Sequence, residues 1–313
     1  MMTPDANRVR IVTHAGPFHA DELFAAAVLT GLFRGALVER RTRIAVEAAI
    51  AAGSADFDFA VDVGGQHEPE VGWFDHHQRG FAERRATGLG YASFGLVWRH
   101  HGEAWCRSQR GVREDEAASV AARMDTMLVA GIDAVDTGAG NFAAELSGVR
   151  GPVSPVTVSH LVAWRVPRAG SPPAAYDRAF RSLLPWARRL LKEACILARD
   201  EERAAAAVRK ADDGSPLLVL PRLVPWFSWV GAHHLLVIYP GDIETPWCVQ
   251  CVGRPDEPMR PKQPLPEAWA GLRGEQLARV TGVPGVIFCH SGRWLVGART
   301  LDDARRLAEL ALG

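Results

Sequence analysis

Cysteine is scarce here and shows no pairing pattern. Five residues, Cys106, Cys195, Cys248, Cys251 and Cys289, are scattered over 313 positions. An odd, scattered set excludes a disulfide-stapled scaffold. The leading MMTPDANRVR has no apolar segment, so a reducing, cytoplasmic setting is expected. Long hydrophobic runs are missing too. The most apolar stretch, Leu217 to Tyr239, is broken by Pro221, Arg222, Pro225, His233 and His234, which excludes a membrane span and a membrane partner. Net charge is absent: 36 Lys and Arg balance 36 Asp and Glu. A polybasic binder of long nucleic acid needs a strong positive field and is excluded. No Gly-x-Gly-x-x-Gly loop of the dinucleotide-binding form occurs, nor any internal repeat.

What is present is an ordinary globular composition, 48% apolar and 23% charged, long enough for two domains. Val9 to Thr13 reads as a buried strand, and from Asp21 the apolar spacing turns helical, stopping near Gly35. Leu37 to Arg41, Phe57 to Val63 and Val71 to Phe74 read as further strands. Ser93 to His101 and Glu114 to Ile132 read as helices. Alternation of this kind predicts an α/β fold with a mostly parallel sheet in the N-terminal domain. Gly148 to Pro155 and Pro167 to Pro173 are rich in Pro, Gly and Ser. The boundary is placed there, giving residues 1–170 and 171–313. A long helix is expected from Ala174 to Lys210. A smaller α/β C-terminal domain follows, closing with helix, strand, strand and helix from Gly274 to Leu312.

The placement of His and Asp carries the functional signal. His14, His19 and Asp21 follow the first strand in THAGPFHADE. Asp62 ends the third in VDVGG, and Asp75, His76 and His77 follow the fourth in WFDHHQRGF. Asp133 and Asp136 sit at a helix end in GIDAVDTG. In an open α/β sheet the carboxyl ends of the strands face one crevice, where ligands bind. Singly, each has a plain reading: Asp21 as a helix-start acid, Asp62 as a turn residue. Jointly, imidazoles and carboxylates gathered in a crevice would repel and lose hydration without a cation. The donor set, without thiolate, suits Mn²⁺, Zn²⁺ or Mg²⁺, and it is too large for one tetrahedral ion. Two ions that share a carboxylate and activate a water are therefore expected. Cys248 and Cys251 lie on a strand pattern that sends their sulfurs to opposite faces, which argues against a metal there.

These motifs resemble the MYG1 (UPF0160) family, a branch related to the DHH phosphoesterase superfamily, over nearly the whole chain. Thr13 to Glu22 resembles its T-H-x-G-x-F-H-x-D-E opening. Asp62 to Gly65 is similar to D-V-G-G, Asp75 to Phe81 to D-H-H-Q-R-x-F, and Ile132 to Gly138 to I-D-A-x-D-N-G. GLRGEQL, VTGVPGVIFCHSG and GARTLDDA extend the resemblance through the second half. Ala15, Thr137 and Arg293 depart from the pattern, and none removes a proposed ligand.

The resemblance implies a DHH-like catalytic domain and metal-dependent phosphodiester hydrolysis, with 3′–5′ exonuclease action on RNA or short oligonucleotides. It implies His14, His19 and Asp62 on one ion and Asp21, Asp62, His76 and Asp136 on the other, with Mn²⁺ expected and Mg²⁺ as the alternative. Asp75 would orient an imidazole, and His77 would contact phosphate or donate to the leaving oxygen. Arginine forks suit phosphate, and Arg79, Arg273, Arg293 and Arg299 are candidates, with His290 approaching from the second domain. The substrate expected is a short single strand. A nucleotide phosphatase or pyrophosphatase on the same site, and a metal-stabilised nucleotide-binding protein without turnover, are the alternatives. Self-association is left open.

Overall fold

The computed structural model describes residues 8–139 and 156–313, so the Gly148 to Pro155 stretch lies outside the described residues. The chain divides into two compact units, Met1–Arg199 and Asp200–Gly313. The division falls within a 39-residue helix, Pro173–Ala211, and not at residue 170 where the sequence puts it. The helix explains the difference. Its apolar residues up to Ala198 join the first core, while Ala204 and Val208 join a cluster of the second unit. Among the described residues, no helix is long and apolar enough to cross a membrane.

The first unit is an α/β layer. β1 (Arg10–His14) and β3 (Phe59–Val61) occupy the middle of a five-stranded sheet with β2 (Leu37–Arg41), β4 (His67–Glu68) and β5 (Trp73–Phe74). Its order is β2-β1-β3-β5-β4. β1 pairs parallel with β2 and β3, and β3 parallel with β5, but β4 runs antiparallel to β5. The sheet is therefore mixed. A short return suffices for an antiparallel neighbour, whereas a parallel one needs a long crossover. That return is a single 3₁₀ turn at Pro69–Val71 followed by Gly72. A Cβ on Gly72 would stand 2.2 Å from the Asp58 carbonyl oxygen, so only glycine fits at its φ of +86°. The turn also trims the strand expected at Val71 to Trp73–Phe74.

α1 (Ala20–Leu32) is buried from Ala20 to Thr30. It is not the amphipathic surface helix its leucines suggest, because Ala25, Ala26 and Ala27 let neighbours close on every side. α2 (Arg43–Ala51) follows β2, and α3 (Ser93–Arg107) packs along α1. α4 (Ala117–Met124) and α5 (Ala130–Asp136) are one helical run joined by a π-helical turn at Asp125–Val129. α6 (Val158–Ala163) and α7 (Pro173–Ala211) complete the unit. Leu23, Phe24, Phe74, Phe94, Met124 and Phe180 lie in its core.

The second unit is a five-stranded sheet of order β6-β7-β8-β10-β9. Its strands are β6 (Leu217–Val219), β7 (Leu236–Pro240), β8 (Trp247–Cys251), β9 (Val286–Cys289) and β10 (Leu295–Ala298). α8 (Gly274–Thr281) and α9 (Leu301–Leu312) bury Leu277 and Leu307 in its core.

Candidate metal centre

β1 and β3 end side by side, and the last residue of β1, His14, meets the first residue after β3, Asp62. Asp62 sits at φ 56°, a left-handed conformation that side chains rarely adopt. Strain of this kind persists where the surroundings fix it, and it is common at functional sites. Here the Asp62 N–H donates to the Phe74 carbonyl, and the Ser93 hydroxyl donates to Asp62 Oδ1 at 3.1 Å. The carboxylate is thereby aimed at the imidazoles of β1 and of the loop after β5.

Asp62 is the hub. His14 Nε2 lies 3.2 Å from Asp62 Oδ2 and 3.0 Å from Glu22 Oε1. His76 Nε2 lies 3.4 Å from Asp62 Oδ1 and 3.3 Å from Asp136 Oδ2. His77 Nδ1 is 3.2 Å from Asp62 Oδ1 and 2.8 Å from Asp75 Oδ1. His19 Nδ1 stands 3.8 Å from Asp136 Oδ1. Asp62 with His76 and His77, His14 with Glu22 and Asp62, and His19 with Asp21 and Asp136 are three groups compact enough to hold a cation. The structure thus gathers every N-terminal ligand candidate. It groups His19 with Asp21 and Asp136, not with His14 and Asp62.

The protons of this cluster are informative. His14 Nδ1 lies 3.2 Å from the Ala15 carbonyl and His76 Nδ1 lies 3.3 Å from the Tyr91 carbonyl. A carbonyl only accepts, so each Nδ1 carries a proton, and a ring holding that proton alone turns its Nε2 lone pair on carboxylates. Both Nε2 atoms are buried without a hydrogen-bond partner. Asp21 is fully buried, and neither of its carboxylate oxygens has a partner. A helix-start acid would be solvated, so the plain reading of Asp21 fails. Lone pairs facing lone pairs in a dry site require added positive charge, either protons or a metal ion. Oxygen and imidazole donors without thiolate fit Mn²⁺, Mg²⁺ or Zn²⁺.

The titration behaviour has the same cause. Burial opposes charge on His14, but the Asp62 and Glu22 carboxylates facing Nε2, which a proton there would bridge, push it up to about 9. Bonds to Asp62 and Asp75 push His77 up to about 10. Burial works against charge on Asp62, yet its His14, His76 and His77 partners hold it well below the usual carboxylate range. Asp21, buried and repelled by Asp62, Glu22 and Asp136, is raised well above it. Burial and repulsion from Asp62 also raise Asp136. For Asp75, the His77 bond and the Gly65 N–H outweigh burial and lower it.

Two residues of the cluster escaped the sequence reading. Glu22 is fully buried beside His14, and its carboxylate also accepts the His19 N–H at 2.9 Å. Its signal was the second acid of the first turn of α1, where a capping role hides any other. Ser93, at the start of α3, had no signal. Asp133, which the sequence left unassigned, does not face solvent. It is buried, accepts the Gly95 N–H at 3.0 Å and pairs with Arg85 at 2.8 Å. Arg79 is exposed, two residues beyond His77.

Arg273, His290 and Arg299 are exposed in the second unit. The Arg273 guanidinium lies over the Phe288 ring at 5.4 Å, and His290 Nδ1 accepts the Gly292 N–H at 3.0 Å. Arg293 takes φ 57° in the turn between β9 and β10. Cys248 and Cys251 are buried, free thiols, and neither joins a candidate cation group among the described residues. Asp212, His233 and His234 form a further compact group, with a different proton arrangement. The Gly231 N–H donates to His234 Nδ1 at 2.9 Å, leaving the proton on Nε2 to face Asp212 Oδ1 at 3.4 Å. That is a hydrogen-bond network in which both imidazoles point a ring nitrogen at the one Asp212 oxygen.

A family model described as an uncharacterised protein family (UPF0160) and named MYG1_exonuc matches residues 10–312, which include every residue of the cluster. The chain belongs to the MYG1 family. Among its relatives, a MYG1 protein of Schizosaccharomyces pombe is 29% identical, covering 98% of both chains. A protein named MYG1 exonuclease from Mus musculus is 31% identical over 97% of this chain and 84% of its own. Its Homo sapiens counterpart, of the same name, is 30% identical over 97% of this chain and 85% of its own. No solved structure matches the chain.

Proposed function

We propose that this MYG1-family protein is a metal-dependent phosphodiesterase, a 3′–5′ exonuclease on RNA or short oligonucleotides. The names of the mammalian relatives support the nuclease class. The observation that carries the metal dependence is the buried Asp21 carboxylate without a partner, beside the orphaned Nε2 atoms of His14 and His76. Asp62 would be shared between two cation positions, with His14 and Glu22 on one side and His76, Asp136 and Asp21 on the other. Divalent ions bound there, Mn²⁺ by expectation, would supply Lewis-acid charge and lower the pKa of a water near seven. His77 would serve the substrate side. Its Nδ1 proton would be held by Asp75, and its side chain is 47% exposed, so that a second proton carried on Nε2 stands on the substrate side. That proton faces outward and can be donated to a phosphate oxygen or to the departing hydroxyl oxygen. Arg79 would add charge at the same rim.

The test is a panel of 3′-labelled RNA, a dinucleotide and pyrophosphate, with Mn²⁺ and with chelator. Expected is metal-dependent release of the 3′ label as a mononucleotide in the first turnover, abolished by His76→Ala and by Asp62→Asn in protein that still folds. Retained cleavage in both variants would overturn the proposal. Turnover of pyrophosphate alone would transfer it to small phosphates.

A further inference from the structure

The first unit holds a second concave site, away from the metal cluster. A cleft of about 860 Å³ opens at the C-terminal end of α1, lined by α1, the end of α3 with its following loop, and α7. From Asp21 to Gly31 along α1 is about 15 Å at the helical rise. Five basic side chains line the cleft, Arg34, Arg110, Arg188, Lys192 and Arg199, and no acidic residue does. In a chain with no net charge this is a concentrated positive field.

The arrangement is built by helix periodicity. Arg188, Lys192, Cys195, Ile196 and Arg199 all line the cleft from α7, and their spacing of three, four and seven keeps them on one face. Arg188 is fixed, since its guanidinium donates to the Thr30 hydroxyl at 3.0 Å and to the Thr30 carbonyl. It thereby satisfies one of the last carbonyls of α1 and offsets the negative helix end that would otherwise repel an anion. Arg34, Arg110 and Lys192 form no ion pair among the described residues and are exposed. Part of the remaining wall is apolar, Ala27, Leu32, Val112 and Ile196 with Trp105 beneath, and Ser108 and Gln109 add polar groups to it. The Trp105 indole abuts Gly31, where a Cβ would stand 2.6 Å from its Nε1. Trp98, about two turns away on α3, gives its Nε1–H to the Ala121 carbonyl, whereas Trp105 Nε1 has no protein acceptor among the described residues.

We infer that this cleft is a binding site for a nucleoside phosphate. Its volume falls in the range of small-ligand sites, its cations match phosphate oxygens, and its apolar wall with the indole edge matches a base or sugar. The inference stands independently of the hydrolase reading, because no residue of the metal cluster lines the cleft.

The test is calorimetric titration of the full-length protein with ADP, pyrophosphate and adenosine, in chelator so that the metal cluster does not capture phosphate. Expected is saturable ADP binding at one site, weakened at least tenfold by Lys192→Glu and by Arg110→Glu, and unchanged by His76→Ala. Both charge reversals are at exposed positions, and circular dichroism confirms that the variants are folded. Adenosine and pyrophosphate should each bind at least tenfold more weakly than ADP. Absence of ADP binding, or binding insensitive to both reversals, would overturn the assignment. So would pyrophosphate binding as tightly as ADP, since the apolar wall would then contribute nothing. Oligonucleotide binding that depends on Lys192 without mononucleotide binding would also overturn it, and would make the cleft a path for a strand.

Discussion

Asp21 illustrates how one buried carboxylate separates stability from function. With both oxygens unpartnered and Asp62, Glu22 and Asp136 nearby, its charged form is costly in metal-free protein. A raised native pKa means that the native state holds the proton more tightly than the unfolded chain. Its contribution is complete below the ordinary carboxylate pKa and is lost as pH rises through the native value. Asp21→Asn should therefore stabilise the metal-free protein at neutral pH, by about 1–3 kcal/mol for a relieved buried group. The same variant should lose the rise in melting temperature that Mn²⁺ gives the parent. Thermal melts with and without metal check both signs, and a destabilised metal-free variant would contradict the account.

His14 gives the complementary pH dependence. Its native pKa of about 9 stands above the ordinary 6.5, so the ion pairs contribute fully below 6.5 and fade as pH rises through about 9. A cation at Nε2 must displace that proton. Metal binding should release protons at pH 7.5, and apparent affinity should rise with pH up to about 9. Calorimetry in two buffers of different ionisation enthalpy measures the release, and equal heats would count against it. Gly95 is a packing prediction of another kind. A Cβ there would meet Asp133 Oδ2 at 1.9 Å, so Gly95→Ala should cost about 1–3 kcal/mol in denaturant unfolding.

At the scale of elements, the site was legible where strands end. Val9 to Thr13 and Phe57 to Val63 announce buried strands, and the residues after them must face the crevice, which is why His14, Asp62 and His76 could be named from sequence. Glu22 was hidden because an acid in a first helical turn looks the same whether it caps the helix or faces a histidine. The π-helical turn at Asp125–Val129 was hidden because the apolar spacing of MDTMLVAGI fits a regular helix equally well. β4 is two residues long and carries no pattern to read. The buried character of α1 follows from three successive alanines, which periodicity scores as neutral.

At the scale of the molecule, α/β character in both units was legible from alternating strands and helices, whereas the division between them was not. Pro- and Gly-rich stretches mark flexible chain, but which core a long helix serves depends on contacts distant in sequence, as Ala198 and Ala204 show. Metal should act on the whole first unit, because the cluster ties together β1, β3, α1, α5 and the loop after β5. At a free Mn²⁺ concentration one hundred times its dissociation constant, stability should rise by about 2.7 kcal/mol. Chelator should reverse the shift in melting temperature, and no shift would argue against a resident cation.

The turn between α4 and α5 absorbs an extra residue without losing phase. It lets the upstream helix keep Val120 and Met124 in the core while Asp133 and Asp136, a turn further on, both reach inward. Removing the exposed Thr126 would restore a regular helix with Asp133 and Asp136 still turned inward, because five residues of a π turn sweep about the same angle as four of an α-helix. A chain shortened by that single residue should keep its helical content in circular dichroism and its manganese binding, whereas loss of both Thr126 and Met127 should swing the two acids by about 100° and leave binding no better than in a chain without the Asp136 carboxylate. Register, as much as residue identity, would then decide whether the cluster can close.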